Sequence, residues 1–357
     1  MLIIQVENYH DFKLFLSVPD LIYKNDSEYI PHIKQEIKSI LWDNSEARMW
    51  IVKHNEELVG RIAAFINKND VGGMGFFESI NDKSVAKVLF DEGTKWLRSQ
   101  KVKKVEAPVN FGARDKFWGL MVKGFKKPSY QENYNPTYYQ KLFELNGFQV
   151  SFTQSTQEVS TSSFQLDKIK ALTLRYSDSN VTFQHITRNN LGKYANDFAE
   201  VYNASWKEHS HFTPLSSTQV LKTLKSIKSI IREDLMWFAY ADSKPIAFYL
   251  SIIEVNQIFQ HLNGNLNWLG KLKFFYFKAV TPIKRIRGLV FGVAPSYQGT
   301  WVAAGLMLKV FEVISNDKHI ETNELAWIGD FNPKMLKLLS SIGAKETKQH
   351  VTYEKKI

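Results

Sequence analysis

Arg285 to Leu308 reads RIRGLVFGVAPSYQGTWVAAGLML. Leu289 to Val293 form the apolar, partly β-branched run of a buried strand. Pro295 stops it, because proline has no N–H to give to a ladder. Ser296 to Thr300 are polar and turn-like, Thr300 is placed to cap, and Val302 to Val310 continue as a helix that is apolar on most faces. A strand, a loop with few side chains and a helix, in that order, leave backbone N–H groups pointing forward at the positive end of a helix dipole. The combination suits an anion, although most such joins hold none.

The rest of the chain sets bounds on this reading. A length of 357 residues fits two domains, and an apolar content of 44% supplies ordinary cores. There is no cysteine, which removes disulfides, thiolate nucleophiles and cysteine metal sites. The first residues, MLIIQVENYHDF, lack a basic start and a long apolar run, so no signal peptide is expected and the expected location is the cytoplasm. No apolar run is long enough to span a bilayer. The net charge of +10 is clustered. Lys95 to Lys127 holds ten Lys or Arg against two acidic residues, and Lys271 to Arg287 holds six against none. Such patches favour anions, but no nucleic-acid-binding motif accompanies them.

In chain order, strands are expected at Ile3 to Val6, in a hairpin of Trp50 to Val52 with Leu58 to Phe65, at Gly72 to Glu78 and at Lys104 to Ala107. Val85 to Arg98 reads as an amphipathic helix, and Asn110 to Phe125 as another. Asn135-Pro136 open a helix that Gly147 ends, and Phe148 to Val159 is extended. Ser160 to Ser179 is a polar link with one short helix. The second half repeats the scheme, with a hairpin of Trp237 to Tyr240 and Ile246 to Ile253, the central strand and helix quoted above, a strand at Glu324 to Ile328, a helix from Asn332-Pro333 to Gly343, and a last strand at Gln349 to Tyr353. Trp50 and Trp237 each stand nine residues before the apolar residue of the partner strand (Val59, Ile246), and both Asn-Pro pairs open helices ended by glycine. Offsets of this size fit two copies of one domain and are too long for a solenoid.

Val293, Pro295, Tyr297, Gln298 and Gly299 resemble the acyl-coenzyme A binding segment of the GNAT N-acyltransferase superfamily. Gln298 and Ala303 stand at the first and last positions of its loop pattern, and Trp301 stands where a glycine is usual. The whole chain is similar to two-domain bacterial GNAT-like proteins of undefined substrate, through GRIAA (Gly60 to Ala64), GFFE (Gly75 to Glu78), NPTYY (Asn135 to Tyr139), HLNG (His261 to Gly264) and ELAWIGDFNPKM (Glu324 to Met335). The resemblance implies an α+β fold of tandem GNAT-like domains, each a mixed, mostly antiparallel sheet with helices on both faces. Their expected extents are residues 1–160 and 180–357 with a linker at 161–179. The first copy carries no pyrophosphate loop, and the second bears an aromatic and basic insertion at 256–284.

The resemblance further implies acetyl-CoA or another acyl-CoA, held by Phe291, Gly292, Val293, Gln298, Gly299, Thr300, Trp301, Val302, Ala303 and Asn332. Direct attack on a thioester by an amine needs alignment, a base, an oxyanion donor and an acid for the leaving thiolate. The oxyanion donor is expected from main chain near Phe291 to Val293. Glu254, at the end of an apolar strand where burial would raise its pKa, is the first candidate base, ahead of Asp330 and Glu324. The usual acid tyrosine falls on Leu339, which leaves Tyr297 or Tyr353 as substitutes. His209 and His211, with His261, are weighed as metal ligands, and no metal is assigned.

The expected function is acyl transfer to an amine of a small molecule or peptide. Two rivals stand beside it: a peptidyl-type transferase using aminoacyl-tRNA, and a non-catalytic tandem protein with Trp301 filling the groove. The insertion reads as a helix pair that packs on the first domain, lines an acceptor pocket, or lies on an anionic membrane surface.

Overall fold

The computed structural model describes residues 1–66, 70–109, 116–164, 166–174, 180–207 and 213–357. The first half of the chain supplies strands β1 (Leu2–Gln5), β2 (Ala47–His54), β3 (Glu57–Ile66), β4 (Val71–Ser79), β5 (Lys104–Ala107), β6 (Leu120–Lys123) and β7 (Gln149–Ser160). The second supplies β8 (Val181–His185), β9 (Met236–Ala241), β10 (Lys244–Ile253), β11 (Arg285–Val293), β12 (Thr322–Gly329) and β13 (Lys345–Lys356). Helices α1 (Tyr9–Ile22), α2 (Lys34–Ile37), α3 (Lys83–Ser99), α4 (Tyr139–Leu145) and α5 (Leu166–Leu174) are followed by α6 (Leu191–Trp206), α7 (Ser217–Ser226) and α8 (Asn256–Phe259). The last three are α9 (Trp268–Val280), α10 (Val302–Asn316) and α11 (Pro333–Ser341).

Among the described residues the strands form one 13-stranded sheet, ordered β1-β2-β3-β4-β5-β13-β7-β12-β11-β10-β9-β8, with β6 paired to β13. The order is the same read from either edge: four antiparallel strands, a parallel fifth, then a strand from the other half of the chain. Only β4 with β5 and β11 with β12 are parallel. The exchange joins the halves. Strand β7 pairs with β12, and β13 pairs with both β5 and β7. The expected separate sheets are thus one continuous sheet.

Local chemistry explains the regular parts. Asn55-Glu56 and Asp242-Ser243 have positive φ, the conformation of two-residue hairpin loops, and they close β2–β3 and β9–β10 in matching fashion. Along β3, Ile62 and Ala64 join the apolar cluster under α3, while Ala63 joins the cluster under α1. Alternation along a strand therefore sends successive side chains to opposite faces, each covered by a helix. Helix α3 is capped by Asp82 and presents Val85, Leu89 and Leu97 to the sheet.

Two expected helices differ. Residues 120–123, expected as helix, form β6, and residues 110–115 of that stretch lie outside the described residues. Asn135 does not cap α4, which begins at Tyr139. Its side chain instead bonds both main-chain groups of Met121 at 2.8 and 3.1 Å and ties the loop to β6. Pro19 sits in the last turn of α1 without breaking it.

Because β7 and β13 are each held between strands of the opposite half, the sheet should unfold as a unit. We expect one coincident urea transition by tryptophan fluorescence and far-ultraviolet circular dichroism. A fragment ending at residue 160 should fail to fold alone, since β7 would lose both neighbours.

Candidate active site

Strands β11 and β12 pair only from Arg285↔Thr322 to Gly288↔Leu325, then part. At that point β11 bulges. Val290 faces Leu250 and Gly288 faces Ser251, so Leu289 has no counterpart in β10. Leu289 is 39% exposed, unusual for a central strand, and so borders the opening. The bulge lies two residues before the expected Phe291. Phe291 to Val293 are ordinary ladder residues paired with β10, and Gly292 is pressed against Phe248 and Trp206, where a Cβ would come within 2.8 Å of both rings.

Beyond Val293 the chain makes a short turn at Pro295–Tyr297 and enters α10. Gln298 folds back to donate to the Val293 carbonyl at 3.2 Å. Thr300 was expected to cap α10: its hydroxyl accepts from the first-turn Val302 N–H at 3.4 Å and donates to the Tyr297 carbonyl at 2.7 Å, while the cap position itself falls on Trp301. Gly299 has φ +77° and open space where a side chain would stand. The Trp301 ring meets Phe183 of β8 edge-on at 5.6 Å. Strand β8 lies three strands from β11, about 14 Å away, and this contact places the indole toward the β8 side of the sheet. Val302 is buried and Ala303 is half-buried against the core. Tyr297 is half-buried. Asn332 caps α11 through the Met335 N–H. Asp330 is exposed and accepts from the Thr153 N–H at 3.1 Å, which fastens the β7–β12 edge.

The chemistry that sequence reading missed lies on the charged face of the same junction. Lys348 of β13, 2% exposed, pairs with Glu132 and, at 2.8 Å, with Glu324 of β12. Arg285 reaches Glu324 at 3.7 Å and Glu254 at 3.3 Å. Arg287 donates to the Tyr130 carbonyl, and Ser129 to Glu324. Burial alone would raise the Glu324 carboxyl; the Lys348 ammonium and the Arg285 and Arg287 guanidiniums overcome it and bring it to about 2. Burial likewise raises Glu132, and Lys348 brings it below the carboxylate range. Burial holds the His350 imidazole below its ordinary value, and its Nε2 lies 3.0 Å from the Asn133 carbonyl, which places the proton there and leaves Nδ1 as acceptor.

Glu254 is buried and its carboxyl is raised by that burial, as expected. It does not face an opening. One oxygen accepts from the Tyr130 and Asn256 N–H groups at 2.8 and 3.1 Å, and the other faces Arg285. It holds the loop that carries Ser129 to Glu132.

Two cavities flank that loop. One, of about 10 Å³, room for about one water, is lined by Trp118, Gln131, Glu132, Arg287, Trp327 and His350. Arg287 and Trp327 bracket the last β11–β12 pair, so this cavity sits at the parting of the strands. The other, also of about 10 Å³, includes Ile30, His32, Glu36, Phe117, Tyr130 and Phe259. The two share Gln131 and Glu132 as a common wall. Neither touches Gln298 to Ala303, of which Gln298 to Thr300 are exposed.

The equivalent parting in the first half is filled. Strands β4 and β5 separate after Gly73↔Glu106, and Val109 at once bonds its N–H to the Met74 carbonyl at 2.8 Å. A Cβ on Gly75 would lie 1.8 Å from the Val109 carbonyl oxygen. The N-terminus of α3 is occupied by the Asp82 carboxylate, which an anionic ligand would have to displace. Among the described residues no group of three metal-ligating side chains gathers, and His209 and His211 lie outside the described residues.

A mixed, mostly antiparallel sheet flanked by helices is the fold of the GNAT acyltransferases. A tandem GNAT protein from the clavulanic acid biosynthesis pathway superposes with a TM-score of 0.60 at 9% identity, over 99% of this chain and 98% of its own. Protein YghO of Escherichia coli (strain K12) is 25% identical over 376 residues, covering 98% of this chain and 94% of itself. Bacterial ceramide synthase of Caulobacter vibrioides (strain NA1000 / CB15N) is 22% identical over 381 residues, covering 99% and 97%. No family model matches the chain.

The buried charges set the acid response. Glu324, at about 2 against an ordinary 4.5, contributes about 3 kcal/mol that is present above pH 4.5 and lost between there and 2. His32, held near 3 by burial and then by Arg61, must stay neutral while the unfolded chain takes a proton below 6.5. His32 alone should therefore cost stability progressively below pH 6.5, by about 4 kcal/mol at pH 3, partly offset where the raised Glu36, Glu78 and Glu254 carboxyls take up protons. Urea midpoints from pH 7.5 to 4 should show this slope, and His32→Phe, stacking on Phe117 in its place, should flatten it.

Proposed function

We propose that the protein is an N-acyltransferase that takes an acyl group from acyl-CoA and places it on the amine of a long-chain, lipid-like acceptor. The observation that carries this is the parting of β11 and β12, with a helix whose N-terminus bears no acidic cap at one end and a small charged cavity on its face. The halves are read as two copies of one unit, residues 1–160 and 180–357, with only the second left open for a ligand. Gly299, Thr300 and the first-turn N–H groups of α10 would hold the diphosphate, since nothing acidic caps that end. Acyl-CoA supplies an activated thioester carbonyl. The main chain around the Leu289 bulge is placed to bond its oxygen.

His350 takes the amine proton at Nδ1, the acceptor left by its bond to Asn133, and is kept neutral for that task. Glu132, ionised by Lys348, orients the amine from the shared wall of the two cavities. Glu254, Asp330 and Tyr297 keep positioning parts: the first holds the loop, the second the strand edge, the third the turn before α10. The lipid-like acceptor is supported by the relative named bacterial ceramide synthase, a ceramide being the amide of a fatty acid with a long-chain amino alcohol. Ile30, Ile33, Phe117 and Phe259 of the second cavity would meet such a chain once the side chains there move apart, since the cavity itself has room for about one water.

Titration calorimetry with acetyl-CoA and longer acyl-CoA species, and detection of released thiol with a long-chain amine, test the reading. Absence of binding at millimolar acyl-CoA would overturn it. Thr300→Glu should weaken acyl-CoA at least about tenfold while leaving thermal stability equal or slightly raised, since a carboxylate suits a bare helix N-terminus. His350→Gln should lower kcat about 100-fold or more without changing acyl-CoA affinity.

A further inference from the structure

Helix α9 leaves one face bare. Trp268, Leu269, Leu272, Phe275, Tyr276 and Val280 are each between 51% and 69% exposed. At 100° per residue they fall on one arc of about 140°. The opposite side is buried: Phe274 packs on Phe259 at 5.7 Å, and Phe277 stacks on His261 at 4.3 Å. Six large apolar side chains contiguous in solvent exceed what a soluble monomer ordinarily leaves uncovered.

Charge identifies the occupant. Lys271 and Lys278 flank the arc on one side and Lys273 on the other, and the segment from Lys271 to Arg287 contains no acidic residue. A second copy of this chain would bring the same lysines against each other across a two-fold interface, at an electrostatic cost. An anionic bilayer meets both requirements at once, taking the rings and leucines into the headgroup boundary while the lysines stay at its surface. No described helix is long and apolar enough to cross a membrane, so this contact lies on the surface of the bilayer.

We propose that the α9 face, through Trp268, Leu272, Phe275 and their neighbours rimmed by Lys271 and Lys273, docks the protein on anionic lipid bilayers. Docking does not require the acyl-transfer reading. It gives that reading a geometry, because Phe259 both underlies α9 and lines the cavity beside Tyr130.

The test is co-sedimentation of the full chain with vesicles of phosphatidylcholine alone or with 30% phosphatidylglycerol. The intact protein should partition at least about tenfold more strongly onto the anionic vesicles and be released by 0.5 M salt. Trp268→Ser/Leu272→Ser/Phe275→Ser should lower the partition coefficient at least about tenfold. Lys271→Glu/Lys273→Glu should abolish the preference for anionic lipid. Because every altered side chain is exposed, the variants should keep the parent melting temperature and circular dichroism. The proposal is overturned if the protein stays in the supernatant, binds both vesicles equally, or binds unchanged in the triple variant. It is also overturned if sedimentation velocity shows a dimer that the triple variant dissociates. A protein that docks but binds no acyl-CoA would sink the enzyme reading and leave this one standing.

Discussion

The Lys348 ammonium, enclosed between Glu132 and Glu324, is the contact on which the architecture turns. Its three groups come from a first-half loop, from β12 and from the chain's final strand. Removing one partner from such a pair leaves an uncompensated charge in the interior, at a cost of about 3–5 kcal/mol. Replacing the whole set with apolar groups would cost less, so its value lies in specification. Strand β13 lies between β5 and β7, and a slip of one residue would turn Lys348 away from both carboxylates. The pair therefore selects the register that makes two half-sheets into one.

This arrangement also explains which parts of the fold were legible beforehand. The hairpins at Asn55-Glu56 and Asp242-Ser243, the helices α3 and α10, and the strand ending at Val293 are written in local chemistry: turn residues, apolar period and proline stops. The exchange of β7 and β13 is not local. Nothing in QVSFTQSTQEVS distinguishes a strand that stays with its own half from one that crosses. For the same reason Glu132, Lys348 and His350 escaped notice as site residues, since they converge only after the crossing. A lysine and a histidine two apart within the alternating stretch KQHVTY were the one available signal, a polar pair on a strand whose neighbours are buried. Asn135 misled because Asn-Pro is a good helix start, yet here a loop used the amide to fasten β6.

The two halves share strand order, turn types and a bulge early in the second hairpin strand, at Val59 and Ile246, but their interiors diverge where chemistry would occur. In the first, Val109 enters the parting of β4 and β5, and Glu78, Arg61, Tyr23 and Tyr139 form a closed polar knot beside it. Burial raises the Glu78 carboxyl, and its oxygens are occupied by two tyrosine hydroxyls and the guanidinium. A site that satisfies its own polar groups has little to offer a ligand. The second half keeps its parting free, and Trp301, the residue at odds with the loop pattern of its resemblance, spends its ring on Phe183 at the sheet edge.

The loop from Ser129 to Glu132 is where the two halves meet this asymmetry. Glu254 and Arg287 hold it through Tyr130. Gln131 lies on that loop with positive φ and bonds Glu36, and it is part of the wall between the two cavities. On one side of that wall stand Ile30, Ile33, Phe117 and Phe259, and on the other Arg287 and His350. Each space has room for about one water, so anything larger enters only when this loop or the side chains around it move. The bonds from Tyr130 to Glu254 and Arg287 are therefore the constraint that sets how far the second half can open.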